Sequence, residues 1–531
     1  MALELIKTDT VLDDPILELN GAEGVATLSV GGKTFVAITG RVDDGVSLFA
    51  VDGDGTLTNV ANVTDTPLFA LDQASGVVAV EVAGTTFLFV AGDEDDGVSV
   101  FAVHPDGTLV NVETVEDAGV LELNGPQSVA SATFGGTKYL IVGGFFDDGV
   151  SVFSVGADGS LTNVDNVDDA AHVDHQLVGV TDVTTAVVNG SVYLFAAGQF
   201  DNGVSVFNVA PDGTLTHVDS VDDGDDPAFE IEGAVDITTA KIGGSTYLFV
   251  AGTFDNGISV FSVAADGTLT NVDNVDNADD PDLELALVDG LSTAVVDGVT
   301  YLFATGGILS QSVNIFSVAE DGVLTYLANI GADEEPALAG AGSTTTTVID
   351  GVPYLFAPTS GGNNGVSVFR LEHDGVTLKG TNAGETLTGT EWDDTLLGKK
   401  GNDKLKGLEG DDLLDGGKGK DKLIGGDDVD TFRFSAGVKK KHADTIKDFE
   451  VGVDTIALDS AVFTKLGGPG GLKSKFFDLG KKADSGKDRI LYQEDKGWLR
   501  YDFDGKGGAD AVKFAKIGKN LGLSADDFMV V

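Results

Sequence analysis

The chain of 531 residues carries 86 Asp and Glu against 32 Lys and Arg, a formal net charge of -54, and has no cysteine. Disulfides and thiolate metal sites are therefore excluded, and a surface of this sign repels nucleic acid and anionic membranes while attracting cations and basic partners. Hydrophobic residues make up 42% of the chain in short strand-like runs, which separates it from disordered acidic sequence. No apolar run reaches the length of a membrane span, and the first residues lack the basic start and apolar core of an export signal.

Residues 1–14 (MALELIKTDTVLDD) align with the fourth strand and following acidic loop of a unit that then recurs. Its clearest copy is residues 247–281, YLFVAGTFDNGISVFSVAADGTLTNVDNVDNADDP. The phenylalanine closing the GVSVF core falls at Phe49, Phe101, Phe153, Phe207, Phe261, Phe316 and Phe369, in steps of 52, 52, 54, 54, 55 and 53 residues. Within one unit, residues 233–242 and 246–252 read as a hairpin, and residues 257–263 and 268–275 as a second one turning through Asp266-Gly267. Four strands per unit and a period near fifty predict the blades of a β-propeller. The seventh unit supplies three strands before the pattern changes near Val376, so the N-terminal segment is expected to complete it, with residues 3–6 beside residues 366–371.

Residues 1–378 hold 58 Asp and Glu but only 6 Lys and Arg, so the propeller bears almost all the net charge. The acid collects in loops expected on one face: Asp43-Asp44, Asp95-Asp96, Asp147-Asp148, Asp201-Asn202 and Asp255-Asn256 after second strands, weakening to Gln311-Ser312 and Asn363-Asn364. Loops after fourth strands add Asp222, Asp223, Asp225, Asp226, Asp276, Asp279, Asp280 and Asp282. Two readings stand: carboxylates that make turns and keep the surface soluble, or weak Ca²⁺ sites, since this hard cation takes six to eight oxygens in irregular cages. Catalytic motifs are lacking; there is no G-x-S-x-G or H-E-x-x-H. Gly32-Lys33-Thr34 reads as a hairpin turn, His172 and His175 as part of a solvated acidic loop in preference to a metal pair, and the recurring GVSVF serines as a strand position. This blade pattern resembles the seven-bladed propellers of the lactonase-like and surface-layer families over roughly residues 1–375, though no catalytic residue of those families matches a position here.

From Gly380 the period drops to nine: GTNAGETLT, GTEWDDTLL, GKKGNDKLK, GLEGDDLLD, GGKGKDKLI and GGDDVDTFR, six copies through residue 433 without an indel. A glycine-rich linker has no reason to keep an apolar residue in phase, as Leu387, Leu396, Leu405, Leu413 or Leu414, Leu423 and Phe432 are kept. The glycines turn the chain and expose carbonyls, each aspartate offers a carboxylate, and the apolar residue fills a core. These copies resemble G-G-x-G-x-D-x-U-x, the nonapeptide of calcium-binding RTX proteins. The resemblance implies Ca²⁺ held by Asp394, Asp403, Asp412, Asp421 and Asp430 with the turn glycines Gly398, Gly401, Gly407, Gly410, Gly416 and Gly419, each ion lying between Asp394 and Asp412, Asp403 and Asp421, or Asp412 and Asp430. Departures fall at Ala383 and Glu385 in the first copy, Trp392 in the second and Asp428 in the last.

The stretches DTFRFSAG, HADTIKDFEVGVDTIAL and the final residues, ending Asp526-Asp527-Phe528-Met529-Val530-Val531, resemble the C-terminal cap and uncleaved type I secretion signal of RTX proteins. Asp502, Asp504 and Asp510 read as a hairpin turn or one more cation site. The expected protein is all-β: a seven-bladed β-propeller (1–378), a parallel β-roll of RTX nonapeptide repeats (379–433) and a small β-rich cap carrying the secretion signal (434–531). The resemblance implies a secreted, extracellular protein of a Gram-negative bacterium that leaves through a type I exporter, and near-identical blades suit a propeller that binds a surface glycan, matrix or protein ligand. A lactonase-like or phytase-like hydrolase with a Ca²⁺-dependent site on the acidic face is the alternative.

Overall fold

The computed structural model describes all residues except 1–2, 118, 280–282, 308–311, 332–337, 339, 361–363, 374, 391 and 508–509. Gln311, Asn363, Asp280 and Asp282 therefore lie outside the described residues. Among those described there is no α-helix, only strands and short 3-10 turns, and no helix is long and apolar enough to cross a membrane. The chain divides into two compact units, Ala2–Glu372 and His373–Val531.

The first unit is a seven-bladed propeller of four-stranded antiparallel sheets. One blade runs Ala234–Ile242, Ser245–Gly252, Gly257–Val263 and Leu269–Asp276, each strand paired with the next. A register shift between Val260 and Phe261 recurs in the sibling blades, so the periodic phenylalanine sits at a β-bulge. These rings enter seven hydrophobic clusters, each drawn from two neighbouring blades. Burial of one such side chain is worth roughly 1.5–3 kcal/mol.

Polar staples reinforce the same interfaces. Tyr139, Tyr193, Tyr247 and Tyr354 each donate from the hydroxyl to a turn carbonyl of the next blade, at Pro211, Ala265, Glu320 and Gly53, over 2.9–3.1 Å. A Cβ at Gly267 would overlap Tyr193, so this turn needs glycine for its φ of +91° and for the close approach of the ring. Asp9, Asp165, Asp219 and Asp273 accept the amides of Leu57, Leu215, Leu269 and Leu324 in the following blade at 2.7–2.8 Å.

The N-terminal strand does complete the seventh blade, lying beside Gly365–His373. It is longer than the expected residues 3–6, running Leu3–Leu12, and its register places Thr8 against the Val368 carbonyl, Thr10 against Ser367 and the Asp13 amide on the Asn364 carbonyl.

In the second unit each nonapeptide forms one short strand, and alternate copies lie on opposite sheets, so residues 18 apart pair in parallel: Leu387 with Leu405, Leu396 with Leu414, Leu405 with Leu423, Leu414 with Phe432. Leu396, Leu405, Leu414, Leu423 and Phe432 are fully buried between the sheets, and of the pair Leu413 and Leu414 it is Leu414 that points inward. Neither sheet stops at residue 433. One continues through Thr455–Leu458 to Phe528–Val530, the other through Asp444–Ile446 to Val512–Lys516, and a single hydrophobic cluster runs from Leu396 to Val530.

Candidate functional site

The repeat aspartates form a ladder inside the roll. The amide of Asp394 donates to Oδ1 of Asp412 at 2.8 Å, that of Asp403 to Asp421 at 2.8 Å, and that of Asp412 to Asp430 at 3.2 Å. All five are at most 2% exposed. With Oδ1 of each held by an amide of the preceding coil, Oδ2 of Asp403, Asp412 and Asp421 is buried without any hydrogen-bond partner. An orphaned anionic oxygen in such a place is costly unless a cation meets it.

The glycines explain where that oxygen points. A Cβ at Gly407 would overlap Asp412 Oδ2 and lie 2.5 Å from the Gly425 carbonyl oxygen; one at Gly398 would lie 2.8 Å from both Asp403 Oδ2 and the Gly416 oxygen. At Gly416 the obstruction is Asp421 itself. Gly401, Gly410 and Gly419 face the backbone of Ala383, Trp392 and Gly401 one coil earlier. Carboxylate and carbonyl oxygens thus converge where only a missing side chain leaves room, an all-oxygen donor set suited to Ca²⁺. The residues present fit the ion.

Burial, followed by repulsion from neighbouring carboxylates, raises these groups: Asp412 to about 7, Asp421 to about 6 and Asp430 to about 8. Asp403 is raised for the same first reason.

The ladder also extends where no glycine repeat marks it. Asp444 accepts the Asp421 amide at 2.9 Å and Asp454 the Asp430 amide at 3.1 Å. Asp448 takes the Gly425 amide at 3.1 Å, and burial with repulsion from Asp421 pushes Asp444 up to about 9. The signal for them was the triplet Asp-Thr-Ile at residues 444–446 and 454–456, which repeats Asp-Thr-Phe at 430–432. At the departures, the Glu385 carboxylate caps Thr381 instead, Trp392 stacks on His373 at 4.1 Å, and Asp428 turns the chain with φ +73°. Asp502 accepts the amides of Asp504 and Gly505 in a tight turn.

On the propeller, the second-strand loops carry their acid for a structural purpose. The first member of each pair grips the incoming loop of its own blade, as Asp147 holds the Asn124 amide and Asp201 the Val178 amide, both at 2.8 Å. The second member, with φ near +55°, grips the next blade: Asp96 holds Gly125, Asp148 holds Gly179, Asn202 holds Gly233 and Asn256 holds Leu287, over 2.8–3.0 Å. Loops after the second and fourth strands meet on one face, through amide bonds such as Asp169 to the Asp148 carbonyl. Beside the aspartates stand Phe146, Phe200 and Phe254, 54–63% exposed at matching positions, each ring packed edgewise on a turn glycine (Gly125, Gly179, Gly233).

A cavity of about 470 Å³ lies on the axis among the first strands, lined by Glu23, Arg41, Ser128, Asp182, Asp236 and Asp289 among others. Burial pushes Glu23, Asp182 and Asp289 above the usual carboxylate range, and burial with repulsion from Asp182 pushes Asp236 well above it. Asp182 also accepts Ser128 Oγ at 2.5 Å and the Ile237 amide at 3.0 Å, and Asp236 accepts the Leu291 amide, so this pair ties first strands together. The strand serines Ser47, Ser99, Ser151, Ser205 and Ser259 are fully buried and accept loop amides; none faces the cavity. Gly31 and Gly32 form a plain hairpin turn before Lys33. His172 and His175, expected in a solvated loop, are joined by His217 from the neighbouring strand, and His175 is only 7% exposed.

Fold and ladder together define a seven-bladed propeller chain with a parallel β-roll of buried carboxylates. The family model for the RTX calcium-binding nonapeptide repeat matches residues 380–414, 388–423 and 407–437, and these repeats are calcium-binding. Among solved structures, the chain is similar to a protein from Lactobacillus plantarum (TM-score 0.45, 16% identity, 62% of this chain and 96% of that one). Others are a putative 6-phosphogluconolactonase from Bacteroides uniformis (0.45, 19%, 60% and 88%) and the periplasmic gluconolactonase of Pseudomonas aeruginosa (0.43, 18%, 62% and 95%). No curated protein sequence matches the chain.

Proposed function

We propose that the protein is a secreted calcium-binding RTX protein whose propeller acts outside the cell as a binding module for glycan, matrix or another protein. Two units divide the work: a binding propeller, and a second unit in which the calcium roll begun over residues 379–433 runs on into the segment, 434–531, that would carry the type I secretion signal. In the roll, Asp394, Asp403, Asp412, Asp421 and Asp430 would hold Ca²⁺ with oxygens of the turn glycines, neutralising carboxylates that otherwise remain buried and unmatched.

The observation that carries the binding role is the row of exposed phenylalanines, Phe146, Phe200 and Phe254, flanked by aspartates on successive blades of one face. Rigid aromatic faces beside hydrogen-bond acceptors suit the apolar and hydroxylated faces of sugar rings, and aromatic anchors dominate binding surfaces. A glycan-array and surface-binding screen should return a ligand whose affinity falls by about 2 kcal/mol or more on replacing all three with alanine. Unchanged binding by that variant removes this reading of the face.

The axial cavity favours a second reading, an extracellular lactonase-like or phytase-like hydrolase, because buried raised carboxylates beside Arg41 are acid and base candidates. Turnover of lactone or phosphate-ester panels in the presence of Ca²⁺, abolished by Asp236→Asn, would replace the binding-only reading.

A further inference from the structure

Blade four departs from its siblings at two facing positions. The third residue of the fourth strand is asparagine in the first, second, third and fifth blades, at Asn59, Asn111, Asn163 and Asn271, and is His217 here. Across from it, the residue preceding the loop amide held by the buried strand serine is Leu17, Phe69, Leu121 or Phe229 elsewhere, and is His175 here. Phe69 and Phe229 pack edgewise on Phe101 and Phe261 at 5.6 and 5.3 Å; His175 takes that place against Phe207 at 5.3 Å. His172, following the 3-10 turn Asp169–Ala171, brings a third ring, and one nitrogen of each histidine lies within 4.8 Å of the other two.

The surroundings orient these rings as ligands. Nδ1 of His175 lies 2.9 Å from the Asp168 carbonyl oxygen and donates to it, which leaves the lone pair on Nε2. Nε2 of His217 is buried without a partner. Nδ1 of His172 accepts the Asp174 amide at 3.3 Å and lies 3.4 Å from the Asp174 carboxylate, which fixes the ring on its loop. The Asn-Asn clasp of sibling blades, such as Asn163 to Asn166 at 2.8 Å, is replaced by Ser220, whose hydroxyl donates to the Asp174 carbonyl at 2.6 Å and anchors the loop bearing both histidines. Burial, then the two neighbouring imidazoles, pushes His217 below the usual histidine range.

We propose that His172, His175 and His217 form a site for a divalent transition cation of the Zn²⁺ class on the outer edge of blade four. Three neutral imidazoles select Zn²⁺, Ni²⁺ or Cu²⁺ over Ca²⁺, which takes oxygen ligands, and three nitrogens leave the fourth tetrahedral position for water or a carboxylate. Tetrahedral Zn–N bonds of about 2.0–2.1 Å set the nitrogens roughly 3.4 Å apart, so rings whose nitrogens lie up to 4.8 Å apart must close inward on the ion, His172 from its exposed loop position. The roll and this site therefore discriminate cations by donor chemistry.

The test uses the full chain in excess Ca²⁺, dialysed against Zn²⁺, with bound metal measured directly and Co²⁺ as an optical probe of tetrahedral nitrogen ligation. His217→Asn and His175→Phe each install the residue that sibling blades carry, so the blade keeps its packing, which melting in Ca²⁺ verifies. Wild type should retain a single Zn²⁺ that Ca²⁺ does not displace and melt higher with it. Both variants should bind more than about tenfold weaker and lose the Co²⁺ absorption. Equal Zn²⁺ uptake by wild type and variants, or no uptake by wild type, overturns the proposal.

Discussion

Asp412 occupies the middle of the carboxylate ladder, giving its amide to Asp430 and receiving that of Asp394, so two of the expected ion positions depend on it. At about 10 mM Ca²⁺ and site constants of roughly 10⁻⁴ to 10⁻³ M, each occupied site contributes on the order of 1.4–2.7 kcal/mol. Asp412→Asn should lower calcium stoichiometry and shrink the Ca²⁺-dependent rise in melting temperature by that amount per site lost, as titration calorimetry and thermal melts would show. Leu408 poses the opposite case: its φ of +124° lies where sibling repeats carry Gly417 and Gly426, and its side chain is exposed, so nothing offsets the strain. Leu408→Gly should stabilise the roll by about 1 kcal/mol in chemical denaturation. On the propeller, burial, followed by repulsion from Asp147 and Asp168 for Glu122 and from Asp276 and Asp255 for Glu230, raises both glutamates to about 7. A raised folded value means that the folded state binds the proton more tightly, so this stability is fully present below the ordinary glutamate range and is lost as pH climbs through about 7. The propeller should melt lower at about pH 8 than at about pH 5.5 through these groups, and the double variant Glu122→Gln, Glu230→Gln should flatten that slope.

At the scale of elements, strands were legible because their periods were. Alternation in GISVFSV and the Asp-Gly turn located Gly257–Val263 and its hairpin directly, and leucine held in phase located the roll. What escaped was whatever joins one blade to the next or breaks the period. The clasp of Asp148 on Gly179 joins residues far apart in the sequence, and an aspartate that staples backbone looks the same on paper as one that solvates a loop. His217 hid as a single substitution in LTHVDSVD, and only folding set it against His175. Asp444 and Asp454 carry the repeat's Asp-x-apolar half without its glycine half, which is why residues 444–458 read as a cap although they continue both sheets. Their place on the ladder has a consequence for binding. With Asp430 and Asp444 raised to about 8 and 9, any coil that closes without calcium does so by holding protons at neutral pH, and an entering cation must expel them. Apparent Ca²⁺ affinity should therefore rise between about pH 6 and pH 9, with proton release measurable in weakly buffered solution. Asp454→Asn should weaken binding at the last position while leaving that between Asp403 and Asp421 unchanged.

For the molecule as a whole, the acidic repeats and the calcium roll set a common condition on when the chain folds. Asp527 accepts the Gly452 amide at 3.1 Å, Phe528 and Val530 are nearly fully buried, and Phe528–Val530 lies inside the seven-stranded sheet next to Thr455–Leu458. If this segment carries the proposed secretion signal, an exporter could read it only while the roll is unfolded. The ladder would supply that delay, since buried carboxylates without a cation oppose closure of the coils, and calcium in the extracellular range would reverse the balance. The core cluster running from Leu396 to Val530 makes the response cooperative along the whole unit. In calcium-poor buffer, hydrogen exchange and limited proteolysis of the full chain should find the strands of residues 386–458 and 528–530 unprotected together, while the propeller, held by its own seven interblade clusters, stays protected. Adding millimolar Ca²⁺ should restore protection to both stretches at one midpoint. Protection of Phe528–Val530 that persists with chelator would mean that the tail folds independently of the ladder, and the proposed link between export and calcium would fail.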